Sequence, residues 1–112
     1  MKKILLTLLL AFTSQSFAAE KMTIILDWFI NPDHGPIIIA QEKGYFAEQG
    51  LEMEIIPPAD PSDPPKLVAA GKADLAVSYQ PQLHMQLHQR LPLIRFGTLL
   101  ARPLTRLLVL ND

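Results

Sequence analysis

Three short strand-like runs, each followed by residues with helix punctuation, constrain this chain more than anything else in it. Met22–Leu26 (MTIIL) is apolar and β-branched, and it reads as a buried strand. Leu51–Pro57 (LEMEIIP) alternates before turning apolar, and Leu75–Ser78 (LAVS) is a third run of the same kind. Between the first two, Pro36–Lys43 reads as a helix with proline in its first turn and Gly44 as its stop. Tyr45–Gln49 adds a further turn closed by Gly50. PKLVAAGKAD, stopped by Gly71, forms a short helix before the third strand, and Pro81–Arg90 forms another after it. Pro57–Pro65 holds five prolines together with Asp60 and Asp63, and reads as a loop. Leu93–Leu100 and Thr105–Leu110 are two more strand candidates. Alternation of this kind predicts an α/β domain with a mostly parallel sheet and right-handed crossovers.

In such a sheet ligands bind outside the carboxyl ends of the strands, where the strand order reverses. With an order beginning 2-1-3, the reversal lies between strands one and three. The loops leaving those strands are then Asp27–Gly35 and Ser78–Pro81. The first is crowded: LDWFINPDHGP packs an aromatic, an amide, carboxylates and an imidazole into a turn that needs only small residues. Such density predicts one wall of a cleft. Trp28 offers an indole face for stacking, and Asn31, His34, Tyr79, Gln80 and Ser78 offer hydrogen bonds. Asp27 and Asp63 complete the candidate ligand-binding set. Each also has a plainer reading: Trp28 as a lid on the core, Asp27 and Asn31 as turn formers, His34 and Asp63 as helix caps. Tyr79 could equally pack under the loop, and Gln80 before Pro81 could be turn chemistry. Ile37, Ile38 and Ile39 read as a core stripe.

Residues 1–18 read as a signal peptide and not as part of the fold. Lys2 and Lys3 precede the apolar stretch Ile4–Phe12, and Ser16 and Ala18 are the small residues a signal peptidase reads. Cleavage after Ala18 leaves residues 19–112 as one incomplete domain. The apolar run Ile4–Phe12 is too short to cross a bilayer, which takes about 20 residues, and no second long apolar segment follows. Without Lys2 and Lys3 the chain has 8 basic against 11 acidic residues, a net charge near −3. No basic patch points to nucleic acid. The absence of cysteine excludes a disulfide framework, a thiolate metal site and a cysteine nucleophile. His84 and His88 share a helix face at H-x-x-x-H spacing, but no third ligand accompanies them and they read as surface residues. The expectation is export, to the periplasm of a Gram-negative cell.

The stretches LDWFINPDHGPIIIAQEKGYFAEQGLEMEI, PADPSDPPKLVAAGKADLAVSYQPQL and PLTRLLVL resemble the thiamine-precursor group of the SsuA/THI5-like (NMT1) family. GYFAEQGLEME is shared with sulfonate, taurine and nitrate binders, whereas the W-x-x-N-x-x-H turn combined with DPSDPPKLVAAGKADLAVS is far more specific. The resemblance covers residues 21–112. It implies the N-terminal part of lobe one of a type II periplasmic binding protein, in a chain that looks like a fragment. It also implies a role as the substrate-binding component of an ABC importer for a thiamine pyrimidine precursor, of hydroxymethylpyrimidine or formylaminopyrimidine type. The partner would be the importer's membrane permease, and no cofactor is called for.

The same family contains the eukaryotic pyrimidine synthases, which hold pyridoxal phosphate on a lysine and consume a histidine four residues further on. The matching positions here are Ser78 and Gln82, neither of which has the required group. The expectation is therefore a binder and not an enzyme, with no catalytic residue. A sulfonate is the rival ligand, and it would want backbone amides and positive charge at helix N-termini. An inactive truncated fragment is the remaining alternative.

Overall fold

β-branched Thr23, Ile24 and Ile25 sit in β1, Glu20–Ile25, and it is this strand that the rest of the sheet is built on. The computed structural model describes residues 18–102. A 3-10 turn follows at Pro32–His34, then helix α1 at Gly35–Glu42 and α2 at Tyr45–Glu48. β2 (Leu51–Ile56), α3 (Pro64–Ala69), β3 (Leu75–Ala76) and α4 (Gln80–His88) complete the order. The three strands form an all-parallel sheet, as the alternating pattern predicts, and their order is the expected β2-β1-β3.

Register follows from the apolar positions. Glu20 pairs with Leu51 and Ile25 with Ile56 on one side of β1, while Ile24 and Ile25 pair with Leu75 and Ala76 on the other. The ladder runs on past the strand ends: Leu26 N–H donates to the Ile56 carbonyl and Val77 N–H to the Ile25 carbonyl, each at 2.9 Å. Ile24 and Leu26, two apart, share one face of the sheet and pack with Met53 and with Ile37 of α1. Phe46 of α2, with Met22, Leu51, Ile55, Leu75 and Val77, closes round them. Leu26 is wholly buried. Asp74, which drew no attention in the sequence, aligns β3 with β1: its carboxylate accepts from Thr23 N–H at 2.8 Å, and its own N–H donates to the Thr23 carbonyl at 3.1 Å.

Glycine ends both turns that the chain needs in left-handed geometry between α1 and β2. Gly44 has φ of +77° and Gly50 of +73°, values a side chain would strain. At the end of α4 the equivalent left-handed position is held by Arg90, at φ +62°.

Two expectations do not hold. Leu93–Leu100 is not a strand: residues 91–98 have no regular structure, and Ile94 and Phe96 are 90% and 79% exposed. β-propensity needs a neighbouring strand to act on, and this segment pairs with none among the described residues. Nor is the isoleucine run a core stripe. Ile37 is buried, but Ile39 is 57% exposed, because three consecutive helical residues sweep about 200° and cannot all face one side. The strand candidate Thr105–Leu110 lies outside the described residues, as does all of the expected leader except Ala18.

With so small a core, single positions weigh heavily. Leu26→Ala is expected to cost about 2–5 kcal/mol, and Ile39→Ala less than about 0.5 kcal/mol. Urea denaturation followed by circular dichroism separates them: equal midpoints for the two variants would refute this placement of the core.

Candidate functional site

Where β1 ends, the chain leaves the sheet through Asp27 and Trp28 and enters the 3-10 turn at Pro32, which leads into α1 at Gly35. The backbone of this excursion is satisfied locally. Asn31 Oδ1 accepts from Asp33 N–H at 2.9 Å, and Asn31 Nδ2 donates to the Phe29 carbonyl at 2.9 Å. His34 N–H donates to the Asn31 carbonyl at 3.0 Å, closing the 3-10 turn. In return, Asn31 N–H donates to His34 Nδ1 at 3.3 Å, a reciprocal capping box. His34 therefore caps this turn and makes no side-chain cap bond to α1, which it immediately precedes.

His34 is 1% exposed, and its Nε2 lies 2.7 Å from Asp27 Oδ1. Burial alone would push the Asp27 carboxyl up; the hydrogen bonds from His34 and Tyr79 outweigh it, and the group is held below its ordinary value. Tyr79 carries the mirror-image effect. Hydrogen bonding to the Asp27 carboxylate, reinforced by partial burial and by the nearby negative charge, pushes its phenol up to about 12. The two strand exits, from β1 and from β3, thus meet at one ionised carboxylate.

Above it the rim is aromatic and open. Trp28 is half-exposed, Phe29 and Ile30 more so, and Tyr79 is 44% exposed. The Trp28 and Phe29 rings stand edge to face, 5.8 Å apart at 82°. Trp28 is therefore not a core residue. Phe29 and Ile30 escaped the sequence reading because an isolated apolar residue in a loop carries no periodic signal.

The remaining candidates divide. Ser78 Oγ donates to Gln82 Oε1 at 2.9 Å, tying the β3 exit to the first turn of α4. Gln80 opens α4 and is committed to neighbours: its amide nitrogen lies 2.8 Å from His84 Nε2, and its oxygen accepts from Arg95 Nη1 at 2.8 Å. Asp63 stands apart from the rim. It precedes α3, makes no side-chain cap bond, and lies 3.1 Å from Lys66 Nζ on the surface. Asp27, Asn31 and His34 are brought into one hydrogen-bonded network, with the Tyr79 phenol close enough to Asp27 to feel its charge; Asp63 is not part of it. A shallow depression of about 280 Å³ beside Gly44, Ala47 and Leu51 lies at the amino ends of the strands, away from this network. No group of three potential metal ligands occurs among the described residues.

A carboxylate held ionised beneath an exposed indole suits an aromatic ligand that donates hydrogen bonds, and it repels anions. Comparison with known proteins gives the chemistry a setting. The NMT1/THI5-like family profile matches residues 31–112. A provisionally assigned thiamine biosynthesis protein of Haemophilus influenzae is 58% identical over 102 residues, 91% of this chain and 32% of its own length. The formylaminopyrimidine-binding protein of Halalkalibacterium halodurans is 37% identical over 99 residues, 88% of this chain and 30% of its own. A 4-amino-5-hydroxymethyl-2-methylpyrimidine phosphate synthase of Uromyces fabae is 36% identical over 94 residues, 84% of this chain and 28% of its own. The chain spans about a third of the length of these relatives.

The network has a pH signature. Because the Asp27 carboxyl is depressed in the folded state, its contribution to stability is present above the unfolded value, about 3.9, and is lost as pH falls through the folded value. Denaturation midpoints measured in steps from pH 7 to pH 2 should fall across that window, and Asp27→Asn should flatten this part of the slope. An unchanged slope in the variant would remove Asp27 from the account.

Proposed function

The chain belongs to the NMT1/THI5-like family, and from that premise we propose that it binds a thiamine pyrimidine precursor and does not synthesise one. The observation that carries this choice is the β3 exit. The resemblance places the synthases' cofactor lysine at Ser78 and their consumed histidine at Gln82. Serine has no amine with which to hold pyridoxal phosphate as a Schiff base, and glutamine has no imidazole to give up. The two side chains are instead bonded to each other. These residues do not fit that cofactor.

In this reading the pyrimidine ring stacks on Trp28, and its amino group faces the polar network of Asp27 and Tyr79. Asn31 shapes the loop from below. An ionised Asp27 also works against the rival ligand, since a sulfonate would bring a second negative charge to the same place. With the leader read in residues 1–18, the protein is a periplasmic binding protein that hands its ligand to the permease of an ABC importer. The rest of such a protein, including a second lobe, would supply the opposite wall of the cleft.

Trp28 is the only tryptophan, so its emission reports on the site directly. Titration with 4-amino-5-hydroxymethyl-2-methylpyrimidine should change that emission saturably, and taurine should not. In calorimetry, Trp28→Ala is expected to lose about 1–3 kcal/mol, roughly 5- to 150-fold in affinity, by analogy with base stacking on aromatic side chains. Undiminished pyrimidine binding by the variant would return Trp28 to a structural role. Binding of taurine with no binding of the pyrimidine would overturn the ligand class.

A further inference from the structure

We propose that His34 is the positioning residue of the aromatic rim: one imidazole ties both ends of the 27–34 loop together and so sets how Trp28 is presented. This rests on the reading of Trp28 as the stacking surface. His34 is seven residues from Asp27 and three from Asn31, and it is bonded to both. Between those two anchors stand Trp28, Phe29 and Ile30, all exposed and outside the buried core. Side-chain packing does little to fix them, so the anchors of the loop must.

The two bonds demand one form of the ring. Nδ1 faces the Asn31 N–H, a donor, and so must be bare. Nε2 faces the Asp27 carboxylate, an acceptor, and so must carry the proton. The other neutral tautomer would set donor against donor at Asn31 and leave a bare nitrogen against a carboxylate. A doubly protonated ring would keep the bond to Asp27 but lose the one to Asn31. Only the Nε2–H form closes the loop at both ends. The ionisable groups round it are Asp27 at the β1 exit, Asp33 in its own turn and Tyr79 at the β3 exit, whose phenol responds to both carboxylates.

A ring that only filled space would tolerate either amide in its place, and this separates the two roles. In H34N the side-chain oxygen can still accept from Asn31 N–H but cannot reach Asp27. In H34Q the amide can still donate to Asp27 but has no acceptor for Asn31. On the full chain, each variant is expected to raise the acrylamide quenching of Trp28. Each should also weaken binding of 4-amino-5-hydroxymethyl-2-methylpyrimidine about fivefold, the factor that one hydrogen bond of ordinary net strength is worth. The Asn31 amide resonance should move in H34Q and stay near its parent position in H34N. In the unmutated chain, nitrogen-15 spectra of the imidazole should show a protonated Nε2 and a bare Nδ1, which tests the proposal even where a variant fails to fold. A protonated Nδ1 overturns it, and so do two variants with parental quenching and a parental Asn31 resonance. If the parent binds no pyrimidine, the functional reading fails while the ligand-free measurements still judge the clamp.

Discussion

Everything in this structure depends on β1 being paired on both sides. A parallel strand gains from burial on its faces and from ladders along its edges, and β1 is the strand with both ladders filled. β2 gives it six paired positions and β3 two. Because β1 is central, its carboxyl end points into the crevice between the loops that leave it and β3. Leu26 is the last residue held by the sheet and the most deeply buried; Asp27, next along, is the first that can turn toward a ligand. The change from core to chemistry therefore takes a single residue, and the position of the site follows from the packing of the strand beneath it.

That arrangement explains the polar network better than a list of contacts does. A carboxylate so close to an apolar core would be costly if left alone. His34 and Tyr79 offset the cost from two directions, one through a turn of the same loop and one from the neighbouring strand. The result is a carboxylate held below its ordinary pKa at the edge of the core. Such a charge disfavours anions and accepts hydrogen bonds from donors.

Much of this was legible in the residues. MTIIL, LEMEIIP and the glycines after α1 and α2 mark the strands and turns, the alternation implies parallel pairing, and the expected order 2-1-3 is the one observed. Trp28, Asn31, His34 and Tyr79 were picked out by their places at strand exits. What could not be read was partnership. The same β-branched and apolar content that makes Ile24 a strand residue makes Ile94 a plausible one, yet among the described residues only the first has a neighbouring strand. His34 and Asp27 stood in the sequence as two separate candidates, because a bond across seven irregular residues leaves no periodic trace. Asp74 went unremarked for the same reason: its partner, Thr23, is 51 residues away.

That separation bears on how the chain assembles in time. The ladder with β2 joins Glu20 to Leu51 across the two short helices, whereas the ladder with β3 must close a loop of about 51 residues for a two-residue strand. The β3 ladder returns two paired positions against six for β2, so it is expected to be the later event. The strand made first is completed last. Until then Val77, Ser78 and Tyr79 have no fixed place beside Asp27, and the carboxylate lacks one of its two supports. The order of folding is thus written into the site: the β1 loop can form early and alone, but the charge at its base is settled only when the third strand arrives.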